Sequence, residues 1–187
     1  MADALNLTDG MRLSMDMVEK HQAVIKRLIG CSEISRVEGD DHEVLLMLDR
    51  TCGVDYYATN TDGLTFAVAS RFQRTTEKSP TPWDTFTIRA ERISGAKTEF
   101  EKRKQAIERG AEYPHLTMHG YVDQSGNLLS MAIAKTSDIF DCIDKGYYSE
   151  NHTGSAQKGQ ASFYVVWWNE MKKRGYHINT YKVGGVA

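Results

Sequence analysis

Residues 64–73 alternate with a period of two, so Phe66, Val68 and Phe72 share one face and Ala67, Ala69, Arg71 and Gln73 the other. The apolar row is a packing face, which leaves the opposite face to offer a guanidinium and an amide to a ligand. Further along, Lys102-Arg103-Lys104 joins Arg71, Arg74, Lys172, Lys173 and Arg174 as cations able to follow a phosphate backbone; the alternative is an ordinary solvated helix face. Arg71 and Arg89 carry a second option as sheet-face charges paired with Glu91. Tyr56, Tyr57, Trp83, Trp167 and Trp168 are core or interface aromatics, or platforms for base stacking. His115-Leu116-Thr117 and His177-Ile178-Asn179 each set a histidine and a polar residue at i and i+2 of a strand, where both project from one face.

These residues need a scaffold, and the composition supplies one. The chain has 187 residues, 41% of them apolar, with 15 Gly and 3 Pro. That is enough for a single domain over residues 1–187 with a buried core, and it excludes disordered, collagenous and coiled-coil classes. No run approaches the roughly 18 apolar residues of a membrane span. Met1–Asn6 lacks the basic and apolar regions of a secretory signal, so a cytoplasmic protein is expected. Cys31, Cys52 and Cys142 are widely spaced and odd in number, which favours reduced thiols. Charge is uneven: residues 1–70 hold 6 Lys+Arg and 12 Asp+Glu, net -6, and residues 71–187 hold 17 and 13, net +4. A cation site in the first part and a phosphate-facing surface in the second produce such a split, and so does chance.

The spacing of Met11, Met15, Val18, Val24, Ile25 and Leu28 predicts a first helix closing near Gly30. Strands are expected at 33–38, at Val44–Leu48 running on toward Ala58, and at 64–73 after a turn at Thr61-Asp62-Gly63. Pro80 and Pro82 mark a loop before a short strand at 86–90. A second helix is expected over 98–107, capped by Thr98 with Glu101 three residues on and closing at Gly110. Strands at 115–122 and 128–134 form a hairpin, Thr136-Ser137-Asp138 caps a short helix over 139–145, and 149–160 reads as a mobile loop. Late strands fall at 163–168 and 176–181, with 167–174 open to a helical reading. This order argues for α+β with a mixed central sheet flanked by helices.

Gly53-Val54-Asp55, the Asp62-Gly63 turn, the alternating 64–73 strand, the 98–110 helix and the strand after it resemble the core of the PD-(D/E)XK, or restriction-endonuclease-like, nuclease superfamily: helix, three strands, helix, strand. The resemblance spans about residues 11–145 and leaves 146–187 as a C-terminal extension. It implies that Asp55 binds a divalent cation, Mg2+ or Mn2+, which activates water and neutralises the scissile phosphate. It also implies a Glu and a Lys on the third strand, where this chain has Ala67, Ala69, Arg71 and Gln73. Arg71 can take the cationic role of the Lys but not act as a base, and Gln73 offers a neutral oxygen. The missing ligands then lie at Asp49, Glu19 or Glu91, or catalysis has been lost and binding kept, or alanines replace an active site. Beside these readings, Asp55 after Gly53 also fits the cap of a strand end, and Asp49-Arg50 a solvated ion pair.

The expectation is therefore a nuclease-like domain acting on or binding DNA, with a homodimer compatible. Asp55, Arg71 and Gln73 are its catalytic candidates, Asp55, Asp49 and Glu19 its metal ligands, and Arg74, Arg89, Lys102, Arg103 and Lys104 its nucleic-acid contacts. Its alternative is a catalytically inactive binding or inhibitor protein on the same core. A rival site is His115 with His177, because their motifs resemble the His-x-Thr/Ser pairs of 2H phosphoesterases, where two histidines act as acid and base without metal; Asn179 lacks the hydroxyl of that pattern. No phosphate-binding Gly-rich loop, Gly-x-Ser-x-Gly elbow or His-Glu-x-x-His motif occurs.

Overall fold

The computed structural model describes residues 12–37, 53–91, 97–153 and 161–184. The expected strand at Val44–Leu48, Asp49, Cys52, and residues 7–11 and 154–160 lie outside the described residues. The chain enters through helical residues 12–20 (α1) and Gln22–Ile29 (α2), which end at Gly30, whose amide donates to the Lys26 carbonyl. Their apolar stripe buries Met17, Val18 and Ile25. The stripe lies on a sheet face carrying Val68, Phe72, Met118, Val122 and Met131.

The strands that follow are β1 (Cys31–Arg36), β2 (Tyr56–Asn60), β3 (Thr65–Arg74), β4 (Thr85–Arg89), β5 (Leu116–Val122), β6 (Leu128–Lys135), β7 (Ser149–Thr153), β8 (Ala161–Trp167) and β9 (Ile178–Lys182). Among the described residues they make a six-stranded sheet in the order β1-β2-β3-β5-β6-β9 and a three-stranded sheet in the order β4-β8-β7. β3 and β5 pair in parallel within an otherwise antiparallel large sheet. The crossover between them passes through β4 and α3 (Glu99–Glu108). With α4 (Thr136–Asp144) and the short α5 (Trp168–Lys173), the small sheet and α3 cover the second face of the large sheet. Phe86, Ile88, Ile139, Phe140, Val166, Trp168 and Met171 pack there against Tyr121, Ala132, Ala134 and Ile178. The fold is α+β, with a mixed central sheet flanked by helices.

Several local signals act as expected. Asn60 Oδ1 accepts from the Asp62 and Leu64 amides and closes the β2–β3 turn. Thr98 Oγ1 accepts from the Glu101 amide while Glu101 Oε2 accepts from the Thr98 amide, a complete capping box. Others are corrected. Thr136 does not cap α4 but is its first residue, and its hydroxyl shares a 2.8 Å hydrogen bond with Thr117. Residues 149–153 are not loop but β7. Within residues 146–187, expected as a C-terminal extension, β7 and β8 join β4 in the small sheet and β9 closes one edge of the large one.

One close approach fixes the β3–β5 register. Phe72 stands opposite Gly120, and a Cβ on Gly120 would come within 2.7 Å of Phe72 Cδ1. The ring lies where any larger residue would put its side chain. Gly120→Ala is therefore expected to destabilise the protein by about 1–3 kcal/mol through overpacking, read by urea unfolding. Phe72→Leu in the same background should recover part of the loss, and unchanged stability of Gly120→Ala would refute this contact.

Candidate functional site

β3 is ten residues long, but β2 pairs only with Thr65–Val68. Beyond Val68, amides on that edge find side chains instead. Asp55 Oδ2 accepts from the Ser70 amide at 2.6 Å, and Ser14 Oγ accepts from the Phe72 amide at 3.1 Å. Asp55 is held in turn by its own backbone: its amide donates to the Val68 carbonyl at 3.0 Å and its carbonyl accepts from the Val37 amide at 3.0 Å. On the other edge the parallel pairing with β5 starts at Val68 opposite Leu116. One residue earlier, His115 Nδ1 accepts from the Ala67 amide at 3.1 Å. The strand-end role expected as one option for Asp55 is thus present, and it sets the carboxylate beside the residue preceding Arg71.

The face expected to be open for chemistry is not open. Ala67 packs with Val37 and Val54, and Ala69 is buried. Arg71 points between the two sheets, away from the α1–α2 core, donating from Nη1 to the Thr87 carbonyl at 3.3 Å and lying 5.1 Å from the Phe163 ring centroid. Burial lowers the pKa of its guanidinium, against the raising effect of Glu99. Arg71 is opposite His119 in the ladder, and the imidazole stacks on Tyr121 at 5.0 Å. Tyr121 Oη shares a 2.8 Å hydrogen bond with Thr85. His119 is 1% exposed. Burial, then the Arg71 charge, pushes its pKa well below the ordinary histidine value of 6.5, so the ring is neutral at pH 7.

Opposite this row, α3 supplies Glu99 and Arg103, which form an ion pair of 2.5 Å one helical turn apart. Arg103 is only 4% exposed, and its Nη2 donates to the Gly53 carbonyl at 3.3 Å. Gly53 has φ +67, so glycine serves the turn, and a Cβ there would meet Arg103 only at the ordinary contact distance of 3.5 Å. Arg103 thereby ties Glu99 to the Gly53-Val54-Asp55 segment. Glu99, His119 and Tyr121 are not among the expected site residues. Their signals are the Glu99/Arg103 spacing of four and the polar row His115, Thr117, His119, Tyr121 alternating with Leu116, Met118 and Val122.

The remaining candidates fall elsewhere. Gln73 is half-buried on β3, opposite Tyr121. Glu19, 65% exposed on α1, lies 3.9 Å from Arg36. Asp49 is outside the described residues, and the Glu91 amide bonds to the Ser162 carbonyl. Among the described residues no three His, Cys, Asp or Glu side chains gather as a metal-ligand set. Glu99 is ion-paired with Arg103 and lies within the field of Arg71, two cations beside one carboxylate. A divalent cation held by oxygen ligands wants the opposite balance, so the described residues do not fit one.

The basic run is divided rather than continuous. Arg103 is interior, which removes it from the expected phosphate contacts. Lys104 bonds to Asp144 at 2.7 Å and lies over Phe100, while Lys102 is half-buried. Arg74 is exposed at the end of β3, and Arg89 lies 5.6 Å from the Phe163 ring. Lys172 donates to Thr180, Lys173 to Glu170, and Arg174 lies 3.8 Å from the Tyr147 ring. Of the aromatics, Trp83 and Trp167 are exposed, whereas Trp168 and Tyr56 are core. The histidine motifs do not converge. Thr117 bonds to Thr136 on the face of Ala134 and Ile178, while Asn179 Nδ2 donates to the Leu28 carbonyl on the α2 face. Cys31 and Cys142 are free and buried, with burial raising both thiol pKa values.

Neutral His119 makes stability depend on pH. Its folded-state pKa lies below the unfolded value of 6.5, so the unfolded chain binds the extra proton and stability falls as pH drops below about 6.5, with a slope approaching about 1.4 kcal/mol per unit. His119→Gln lacks this component. The stability gap between wild type and His119→Gln, from urea unfolding, is expected to be constant above pH 7 and to narrow between pH 6.5 and 5.5; parallel profiles would contradict a neutral buried imidazole. No protein-family model matches this chain, and no curated protein matches it.

Proposed function

We propose that this chain is a DNA-facing domain on a restriction-endonuclease-like core that binds the phosphodiester backbone without cleaving it. The observation that carries the reading is the charge at the site: beside Asp55, where the nuclease pattern calls for an acid and a Lys, stand Ala69 and Arg71, with Arg103 across from them. The surfaces that meet the backbone are Arg74, Lys102 and Lys104, within residues 71–187, which carry net charge +4. Affinity for a labelled duplex, read by mobility shift, should fall with salt with a log–log slope of about -0.9 per phosphate contact. Arg74→Ala, Lys102→Ala and Lys104→Ala together should flatten that slope by up to about three contacts, and an unchanged slope would return these cations to ordinary surface. Supercoiled plasmid should stay uncut in Mg2+ or Mn2+.

A second reading, metal-dependent cleavage, would require Glu99, which Arg103 ties to the Gly53-Val54-Asp55 segment, to leave that ion pair and act as a carboxylate moved from β3 to α3. Nicking abolished by both Asp55→Asn and Glu99→Gln would establish it in place of the first. If instead the wild type is inert, Ala69→Glu with Arg71→Lys tests the shared core. Ala67 and Ala69 are both buried, and the 69 and 71 register is taken because Arg71 already places a long cationic side chain there. Metal-dependent nicking by the folded double variant supports the nuclease-like core, and continued inertness of that folded variant argues against it.

A further inference from the structure

Between β3 and β5 of the large sheet and β4 of the small one lies a narrow cavity lined by Ala69, Arg71, Thr87, Glu99, Thr117 and His119. Its free volume is about 10 Å³, the least that admits one water-sized group and too little for a phosphate. Two lining groups, Thr87 Oγ1 and His119 Nε2, are buried without a hydrogen-bond partner among the described residues. Both residues are more than nine-tenths buried. A buried polar atom left unbonded is unfavourable, and two of them facing one cavity point to a shared partner.

The charge of that partner follows from Arg71. Among the described residues no carboxylate lies within ion-pair distance of it; its contacts are a neutral carbonyl and an aromatic face. Glu99, the one acid in the lining, is taken by Arg103, and Thr117 is taken by Thr136. Glu99 attracts Arg71 through space but is bonded to Arg103, so this interior cation is left without a bonded counter-ion, and an anion among hydroxyl, imidazole and guanidinium donors supplies one. We propose that this cavity is a binding site for a single small monovalent anion of the halide class, held by Arg71, Thr87 and His119. The anion then joins both sheets at one point. The site is independent of the DNA-binding reading, which is measured at the outer surface.

The test uses the full chain at constant ionic strength with chloride replacing gluconate. The 35Cl resonance should broaden in saturable fashion with wild-type protein, and the thermal midpoint should rise by a few degrees with chloride. Arg71→Met should abolish the broadening and the chloride-dependent rise. Thr87→Val should weaken both while leaving the fold intact by circular dichroism, and this variant keeps the test decisive if Arg71→Met does not fold. Absence of broadening in the wild type together with a flat midpoint overturns the proposal, since the cavity then holds water. Equal broadening in wild type and Thr87→Val overturns it as well, because the anion is bound elsewhere. Duplex affinity measured in gluconate tells failure of the anion site from failure of DNA binding.

Discussion

The arrangement of this protein turns on one unmet requirement: β3 is longer than the strand beside it. A buried backbone amide must find an acceptor, and β2 stops supplying them at Val68. Asp55 and Ser14 supply two of the missing acceptors and His115 a third on the opposite edge. Two ends of the chain's first segment, α1 and the turn before β2, are thereby pinned to the same strand. The same strand then carries Arg71 into the space between the sheets, where the Thr87 carbonyl of β4 accepts from it.

This requirement explains why residues that look chemical from their type turn out to be structural as well. A carboxylate, an imidazole and a guanidinium are the side chains able to stand in for a missing neighbour strand, and they are also those that do catalysis. Type alone does not separate the two uses; surroundings do. A carboxylate binding a metal needs other carboxylates beside it and no competing cation. Asp55 instead stands in a set where Glu99 is matched by Arg103 and Arg71 adds a further positive charge. Arg71 is also better suited than a lysine to its place, because a planar guanidinium can donate to a carbonyl while lying over an aromatic ring.

Features governed by a few adjacent residues are legible in the amino-acid sequence alone. The capping box of Thr98 and Glu101, the closure at Gly30 and the Asp62-Gly63 turn all follow from local geometry, and each is present, whereas the alternation of 64–73 gives the strand but not an open face. Features that depend on distant partners are not. That β4 leaves the large sheet for β8 is decided by Phe86 and Ile88 meeting Val166 and Trp168 some eighty residues on. That β7 is a strand is decided by the edge β8 offers it, since Ser149–Thr153 has no apolar alternation of its own. Within the site, Asp55 and Arg71 stand out by their strand positions. Arg103 is hidden because it stands in a run of like charges, and its burial becomes readable only through Glu99 four residues earlier on the same helix face.

The second sheet and the absence of an acid at positions 69 and 71 of β3 have one physical cause. Where a sheet face is open to solvent, an acid and a lysine on alternate positions can both stay hydrated and hold a cation. Once β4 docks over that face, what meets it is a backbone carbonyl and the Phe163 ring. A carboxylate at position 69 or 71 would be desolvated against an acceptor, which repels it, while a donor is attracted. Alanine at 69 and arginine at 71 satisfy that surface. The interior that results leaves Thr87 Oγ1 and His119 Nε2 without a hydrogen-bond partner among the described residues and sets the Arg71 guanidinium against a neutral carbonyl.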